Sequence, residues 1–236
     1  IAAWYGEVIT ITSSIGQNGI VRKDRHTIVP LESFEIVPHF PVPKFWSISF
    51  WNILRWIRKE KPDIIITRTR FFLLSFIGGM CAKIYWIPWV HIEHGSGPVE
   101  TDRFLVKLFS RIFDATIGWW IIRYANKVIG ISEACKWFIR SFGRKDDIPV
   151  IFRGVDFVPS QEIIVSSQDP QIRITFIGRL TYLKWVHVLI SALQGLVWEK
   201  KWHCTIVWDG EERPKLEDQV KNLSLRNRIT FVGMKD

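Results

Sequence analysis

Cysteine is scarce in this chain, which has only Cys81, Cys135 and Cys204 among its 236 residues. The three lie far apart, each within an apolar stretch, and none belongs to the C-x-x-C spacing of zinc or redox sites. Because free cysteine is usually buried, we predict three reduced core residues in a cytoplasmic protein.

The chain also lacks an uninterrupted apolar run of membrane-spanning length. Its longest apolar region, residues 71–90, is broken by Gly78-Gly79, Lys83 and Pro88, and it lies between two strand-like runs. We therefore predict a buried crossover helix followed by a strand instead of a membrane span. Polar and strand-like residues follow directly on Ile1-Ala2-Ala3, so we expect no signal peptide.

Low-complexity tracts are absent, and acidic residues are fewer than basic ones. Hydrophobic residues make up 47% and charged residues 23%, which favours an ordered globular protein over a disordered one. The 32 Lys and Arg against 23 Asp and Glu give a net charge of +9, which attracts nucleic acid, anionic lipid or phosphorylated small molecules. No nucleic-acid recognition module accompanies the basic residues, and we predict no such partner.

Tryptophan, in contrast, is abundant, with 13 residues. Several stand where glycine or arginine would look natural, namely Trp46, Trp86, Trp119, Trp137 and Trp198. We interpret the excess as the product of altered or misread codons.

Short β-branched runs alternate with stretches of helical period, a pattern typical of βαβ units and a mainly parallel sheet. Predicted strands cover residues 7–12, 34–38, 63–67, 89–93, 127–131, 149–152, 172–177, 203–207 and 228–232. Predicted helices cover residues 47–59, 71–85, 101–125, 133–142, 185–200 and 213–223. The fold class is therefore α/β.

A segment with prolines, serines and no helical period separates two predicted domains. We place the first domain at residues 1–157, a linker at 158–171 and the second domain at 172–236. Both ends look cut: the chain begins as if in the last turn of a helix, and a final sheet of about three strands would leave an edge unpaired. We expect the first strand to be missing and the second domain to be truncated.

The most specific segment joins a buried strand, residues 172–177, to a helix through a loop that carries two cations. Gly178 permits close backbone approach where the strand ends, and Arg179 and Lys184 flank the loop that opens the helix. Two cations and free helix N–H groups suit a diphosphate, for which Arg offers a planar fork and Lys a mobile charge. The alternative is that both are solvated surface charges.

A second constellation, His91 to Pro98, follows a predicted parallel strand. Ligands of doubly wound sheets bind outside the carboxyl ends of strands, so its His-Gly-Ser-Gly loop is well placed. Metal ligation by His91 and His94 is a rival, but their spacing on a strand directs them to opposite faces, and we predict no metal site. A purely structural His94 is the other alternative.

Two predicted helices combine apolar and basic residues. In residues 104–113 an apolar row lies beside a basic one: Phe104, Leu108 and Ile112 with Arg103, Lys107 and Arg111. Residues 50–59 mix the two types similarly. Such helices either lie on an anionic membrane or pack on a sheet as ordinary crossovers, and both interpretations stay open.

These motifs resemble those of glycosyltransferase family 4, whose members have a strand, Gly-Arg-Leu, Lys-Gly and a helix that begins Leu-Ile-x-Ala. The matching segments here are Gly178-Arg179-Leu180, Lys184, Leu189-Ile190-Ser191-Ala192, Cys204–Gly210, Arg228–Gly233, Val128–Glu133 and Val150–Asp156. The likeness spans roughly residues 90–236. It departs from the family at Trp185 and Trp208, where members have glycine, and at Arg153, where they have asparagine.

The resemblance implies a GT-B fold of two Rossmann-like, doubly wound parallel-sheet domains, the second truncated here. It implies a retaining glycosyltransferase that uses a nucleotide-diphosphate-sugar without an obligatory metal or other cofactor. Arg179 and Lys184 would neutralise the diphosphate, and His94 would contact the donor sugar. The remaining implied residues are Gly178, Asp209, Gly210 and Met234 for the donor, and Gly95 and Ser96 on the acceptor side.

We expect a glycan or lipid-linked acceptor of the cell envelope, with the protein cytoplasmic or peripheral on the inner membrane face. The family's paired-glutamate motif would lie beyond Asp236, so we expect no turnover from this fragment alone. The alternative is a degenerate GT-B chain that acts only as a binding module.

Overall fold

Strands and helices alternate along the chain, in a computed structural model that describes residues 6–15, 19–37, 40–101, 103–152, 154, 171–196 and 201–235. Its residues fall into two units, the first made of residues 1–99 and 103–155 and the second of residues 100–102 and 156–236. Of the predicted linker, only Gln171 lies within the described residues, and Arg153 and Trp198 also lie outside them.

The first unit opens with a sheet of four strands: β1 (Val8–Ser14), β2 (Val21–Lys23), β3 (His26–Val37) and β4 (Phe40–Pro43). β1 pairs parallel with β3, whereas β2 and β4 pair antiparallel with it. The sequence predicted most of β1, at residues 7–12, and only the carboxyl end of β3, at residues 34–38. The long β3 was missed because Pro30 lies inside it, and proline argues against a strand interior.

A second sheet of the first unit is wholly parallel, in the order β5 (Ile65–Arg68), β6 (Trp89–Glu93) and β7 (Lys127–Gly130). The strand predicted at residues 149–152 is reduced to a single parallel bridge between Gly130 and Val150. Among the described residues, the helices that accompany these sheets are α1 (Ile48–Glu60), α2 (Leu73–Tyr85), α3 (Phe104–Phe113), α4 (Trp119–Tyr124) and α5 (Glu133–Ser141).

The apolar region at residues 71–90 forms α2 followed by β6, as predicted. Trp89 is fully buried, and a Cβ added to Gly79 would collide with its indole ring, so glycine lets this helix approach the strand. No helix among the described residues is long and apolar enough to cross a membrane. The three cysteines are buried and unbridged, as expected.

The helix predicted over residues 101–125 is interrupted. α3 ends at Phe113, a π-helical turn covers Asp114–Gly118, and α4 begins at Trp119. Asp114 is buried within that turn and faces an arginine of the first unit, which the helical period of the sequence could not show. π turns of this kind often accompany functional sites.

The second unit has a parallel sheet in the order β10 (Ile229–Gly233), β9 (Trp202–Val207) and β8 (Ile172–Ile177), with helices α6 (Val186–Gln194) and α7 (Arg213–Asn222). Its core joins the helices to the sheet through Val186, Ile190, Cys204, Ile206, Leu216 and Val220. The prediction that residues 172–177 form a buried strand is wrong in one respect. β8 lies at an edge of the described sheet, and its residues are exposed or half-buried.

Candidate functional site

The predicted donor residues gather at the carboxyl edge of the sheet in the second unit. Gly178 and Arg179 follow β8, Asp209 and Gly210 come soon after β9, and Met234 follows β10 directly. This edge is where parallel α/β sheets bind ligands. The structure therefore brings the predicted donor residues to one edge.

Two of the loops at this edge are locked together through Leu180, which is fully buried. Its N–H donates to the carbonyl of Asp209 at 3.0 Å, and its own carbonyl accepts from the N–H of Glu212 at 3.1 Å. A Cβ on Gly210 would collide with the Leu180 backbone, so this position requires glycine. Gly210 thus has a packing role, in addition to the donor contact that the resemblance implies.

Arg179 and Lys184 are both exposed on this loop. Neither side chain has a hydrogen-bond or ion-pair partner among the described residues, and Asp209 at the same edge is paired with Arg213. Lys184 ends a short 3-10 turn, Tyr182–Lys184, directly before α6. Two cations without a partner near the N-terminus of a nine-residue helix form an electropositive surface.

Asp209 is held on the same edge by two donors. The N–H of Gly210 donates to its Oδ1 at 2.8 Å, and Nη1 of Arg213 donates to its Oδ2 at 2.9 Å. The hydrogen bond from Gly210, followed by that from Arg213, holds the pKa of this carboxyl below its usual range. Asp209 therefore stays ionised and acts as an acceptor.

The predicted His94 loop lies in the first unit, immediately after β6. His94 is half-buried, and Arg68 donates to its Nε2 from Nε and Nη2, each at 3.3 Å. Ser96 is exposed, whereas Gly95 fits only as glycine because a Cβ there would press on Nη1 of Arg70. His91 is fully buried on β6, whereas His94 lies in the loop that follows the strand. Among the described residues, no group of three His, Cys, Asp or Glu side chains could hold a metal.

Beneath this loop lies a buried cluster of charges that the sequence analysis missed. Arg70, His91, Glu93 and Asp114 are each at most 9% exposed. Arg70 Nη1 donates to Glu93 Oε1 at 3.1 Å, and its Nε donates to Asp114 Oδ1 at 2.8 Å. One signal was available, because alternation along β6 places Glu93 on the same face as the buried Trp89 and His91.

Glu93 is ionised in this cluster. Burial alone would raise the pKa of its carboxyl, but the hydrogen bond from His91, the charges of His91 and Arg70, and the Gly95 N–H together lower it. An ionised carboxylate only accepts, so Nε2 of His91 carries the proton toward Glu93. Nδ1 of His91 lies 2.8 Å from the hydroxyl oxygen of Thr67, which also accepts from the Trp89 indole N–H.

Comparison with known proteins identifies the family of the chain. The sequence profile of glycosyltransferase family 4 matches residues 7–158, and that of the glycosyl transferases group 1 matches residues 160–236. The chain is 33% identical over 226 residues to the uncharacterized glycosyltransferase MJ1069 of Methanocaldococcus jannaschii, covering 92% of this chain and 57% of that protein. It thus spans little more than half the length of that relative.

Solved structures share the fold. Anabaena HepE in complex with UDP-glucose has a TM-score of 0.63 at 19% identity, covering 89% of this chain and 56% of that one. Sucrose-phosphate synthase of Thermosynechococcus elongatus has a TM-score of 0.66 at 17% identity, covering 98% of this chain and 61% of that one. The predicted GT-B class is confirmed, and the chain belongs to glycosyltransferase family 4.

Proposed function

We propose that this chain is part of a retaining glycosyltransferase that moves a sugar from a nucleotide-diphosphate-sugar to a glycan or lipid-linked acceptor of the cell envelope. The observation that carries the proposal is the pair of exposed cations, Arg179 and Lys184, without partners among the described residues at the carboxyl edge of a parallel sheet. HepE, which shares the fold, was crystallised in complex with UDP-glucose. UDP is accordingly the first nucleotide to test.

The proposed reaction breaks the bond between the sugar's anomeric carbon and the diphosphate oxygen. The electron pair leaves with the diphosphate, while the acceptor hydroxyl oxygen bonds to the same face of the sugar and its proton passes to an oxygen of the departing diphosphate. Negative charge therefore grows on the diphosphate, where Arg179 and Lys184 stabilise it without a metal. His94 would contact the donor sugar, with Gly95 and Ser96 on the acceptor side.

Kinetics of the full-length protein test this role. We expect Arg179→Ala to lower kcat roughly 100-fold or more, as removal of a donor to a developing oxyanion does elsewhere. Arg226→Ala is the matched control, because Arg226 is exposed in the loop before β10, at the amino edge of the same sheet. NMR of the product's anomeric proton checks retention, and an inverted product would refute it.

A second candidate is a degenerate GT-B chain that does not bind donor. Trp185 and Trp208 favour it, because each brings an indole to the edge that carries Arg179 and Asp209. Calorimetric titration with nucleotide diphosphates distinguishes the two candidates. An active donor site gives a heat of binding with at least one of them, whereas the degenerate chain gives none.

Helix α3 supports a lipid-linked acceptor. Its row of apolar side chains is exposed: Phe104 74%, Leu105 76%, Leu108 45%, Phe109 45% and Ile112 56%. Only Ser110 and Phe113 of this helix are buried, so in the described residues the apolar row does not pack on a sheet. Lys107 and Arg111 on the same helix are exposed and suit anionic headgroups. Helix α1, by contrast, buries Phe50 and Ile57.

Cosedimentation with vesicles tests membrane binding through α3. We expect binding to vesicles that contain phosphatidylglycerol and little binding to phosphatidylcholine alone. Leu105→Glu should abolish it, while Ile36→Glu, which changes an equally apolar residue that is 62% exposed on β3, should not. Equal loss in both variants, or no binding of the unmodified protein, would refute a membrane role for α3.

A further inference from the structure

The buried charge cluster ties down the His94 loop at two points. Glu93 Oε1 accepts the N–H of Gly95 at 2.6 Å, and Arg70 Nη2 donates to the carbonyl of Gly97 at 3.0 Å. Glu93 Oε2 also accepts the backbone N–H of Arg70 at 3.2 Å. The loop that follows β6 is therefore fixed by side chains that solvent does not reach.

Arg70 is itself held in place by further contacts. Its Nε and Nη2 bind the two carboxylate oxygens of Asp114 at 2.8 and 3.1 Å, and its guanidinium lies 4.4 Å from the ring centroid of Phe138. Gly118 leaves room for this pair, since a Cβ there would lie 3.1 Å from Asp114 Oδ1. Asp114 of the π turn thus holds Arg70, and Arg70 in turn holds the His94 loop.

A cluster of this kind is a poor device for stability alone. Desolvation of buried ions offsets much of their attraction, and well-packed apolar residues are often as stable. The charges instead fix an orientation, because the N–H groups of the planar guanidinium point in set directions toward separate acceptors. A binding loop gains most from such fixed geometry.

We propose that Arg70 and Glu93 are positioning residues that hold the His94-Gly95-Ser96-Gly97 loop in its working geometry. The proposal rests on the role of His94 given under the proposed function. Neither residue touches the substrate, and both act through the loop. The matched control is Asp146, which pairs with another buried arginine of the first unit, Arg144, and does not hydrogen-bond to this loop among the described residues.

Hydrogen exchange tests the positioning without any activity. Glu93→Gln keeps the side-chain shape but removes the charge that accepts from Gly95. We expect faster exchange of the Gly95 amide in Glu93→Gln than in Asp146→Asn, with both variants folded. Equal protection of Gly95 in the two variants would overturn the anchoring.

A double-mutant cycle in the full-length enzyme then tests the consequence for turnover. We expect Glu93→Gln to lower kcat at least 10-fold while UDP affinity stays unchanged, and to have no further effect in a His94→Ala background. Additive losses in the double variant would overturn action through His94. Absence of turnover in the unmodified enzyme would instead count against the proposed function and leave the exchange result standing.

A second, independent observation concerns tryptophans with positive φ. Trp86 has φ 59°, Trp185 54° and Trp208 114°, in a region where bulky L-residues are rare and strained. Trp86 takes the left-handed C-cap of α2 with its side chain 93% exposed, and Trp185 is 57% exposed. The indoles of Trp86 and Trp185 therefore gain little burial in return for this conformation, and that of Trp208 is only half-buried.

Two other tryptophans behave in the opposite way. Trp89 and Trp202 lie within strands at 0% and 3% exposure, and each indole N–H has an acceptor, Thr67 Oγ1 at 2.8 Å and the Leu196 carbonyl at 3.0 Å. The chain therefore contains tryptophans that its core uses and tryptophans that stand in glycine conformations.

We infer that the codons at positions 86, 185 and 208 specify glycine in the organism that makes this protein. Glycine is the usual residue at a left-handed helix C-cap, and it adopts positive φ without strain. At positions 185 and 208 it would also remove two indoles from the edge that carries Arg179 and Asp209. The inference stands on backbone geometry and holds whether or not the donor site is active.

Peptide mass spectrometry of the protein from its native source decides the matter. We expect masses that correspond to glycine at 86, 185 and 208, and to tryptophan at the internal controls 89 and 202. Tryptophan at any of the first three positions would overturn the inference for that position. Glycine at 89 or 202 would show that conformation does not sort the two groups.

Discussion

At the scale of single residues, Trp86 has a left-handed backbone conformation that is unfavourable for a bulky side chain. The left-handed conformation lowers the stability of the fold by about 1–2 kcal/mol at an L-residue. Glycine avoids this strain but lowers stability by about 0.5–1 kcal/mol, because it gives the unfolded chain more conformational freedom. Because Trp86 is 93% exposed, its removal forfeits little packing. We therefore expect Trp86→Gly to raise the free energy of unfolding by about 0.5–1 kcal/mol in urea denaturation.

Trp89→Gly provides the contrast, since its fully buried ring would leave a cavity and should lower the free energy of unfolding by at least about 3 kcal/mol. A decrease for Trp86→Gly as well would show that the exposed indole contributes packing.

Glu93 makes stability depend on pH. Its pKa is lowered in the folded chain, so the ionised carboxylate stabilises the fold above the unfolded pKa of about 4.3, and this contribution is lost as pH falls through the folded value. We expect the free energy of unfolding to fall more steeply with acid below about pH 5 in the unmodified chain than in Glu93→Gln. An equal change in the free energy of unfolding between pH 7 and pH 4 in the two proteins, measured by urea unfolding, would contradict this assignment.

The sequence could predict residues whose chemistry is local, but not those paired over distance. Gly178, Arg179 and Lys184 lie within one loop, and their spacing beside a strand and a helix was readable. Arg70 pairs with residues 23 and 44 positions away, and no local period links it to Glu93 or Asp114. The buried cluster therefore needed the structure.

At the scale of elements, the parallel strands were the most predictable. β6 and β8 occupy the predicted residues because β-branched runs bounded by turn residues mark them clearly. The antiparallel strands around β3 were not predictable, since β2 is short and exposed and β4 contains two prolines. Interruption of the helix at Asp114 follows from a tertiary contact that overrides a continuous helical pattern.

The π turn gives a prediction of its own. Gly118→Ala places a methyl group 3.1 Å from Asp114 Oδ1 and 3.5 Å from Cδ of Arg70. Because the neighbours are buried and hydrogen-bonded, we expect the free energy of unfolding to fall by about 1–3 kcal/mol in urea denaturation. Gly19→Ala, where a Cβ meets nothing within 4 Å, is the control. Equal stability of the two variants would show that the cluster tolerates displacement.

At the scale of the whole molecule, the spacing of the motifs was sufficient to predict the GT-B class, because each motif marks a strand, a loop and a helix in a fixed order. The chain covers 57% of its relative MJ1069. The predicted diphosphate site, however, lies on one edge of a single sheet whose residues this chain contains.

Calorimetric titration with UDP tests the central claim, that Arg179 and Lys184 bind a diphosphate at this edge. The chain with Trp185→Gly and Trp208→Gly should bind UDP. Adding Lys184→Ala should then weaken binding roughly 10-fold or more, and adding Lys201→Ala, a lysine directly before the amino end of β9, should leave it unchanged. UDP binding that survives Lys184→Ala undiminished, or no binding to the glycine-bearing chain, would contradict the account.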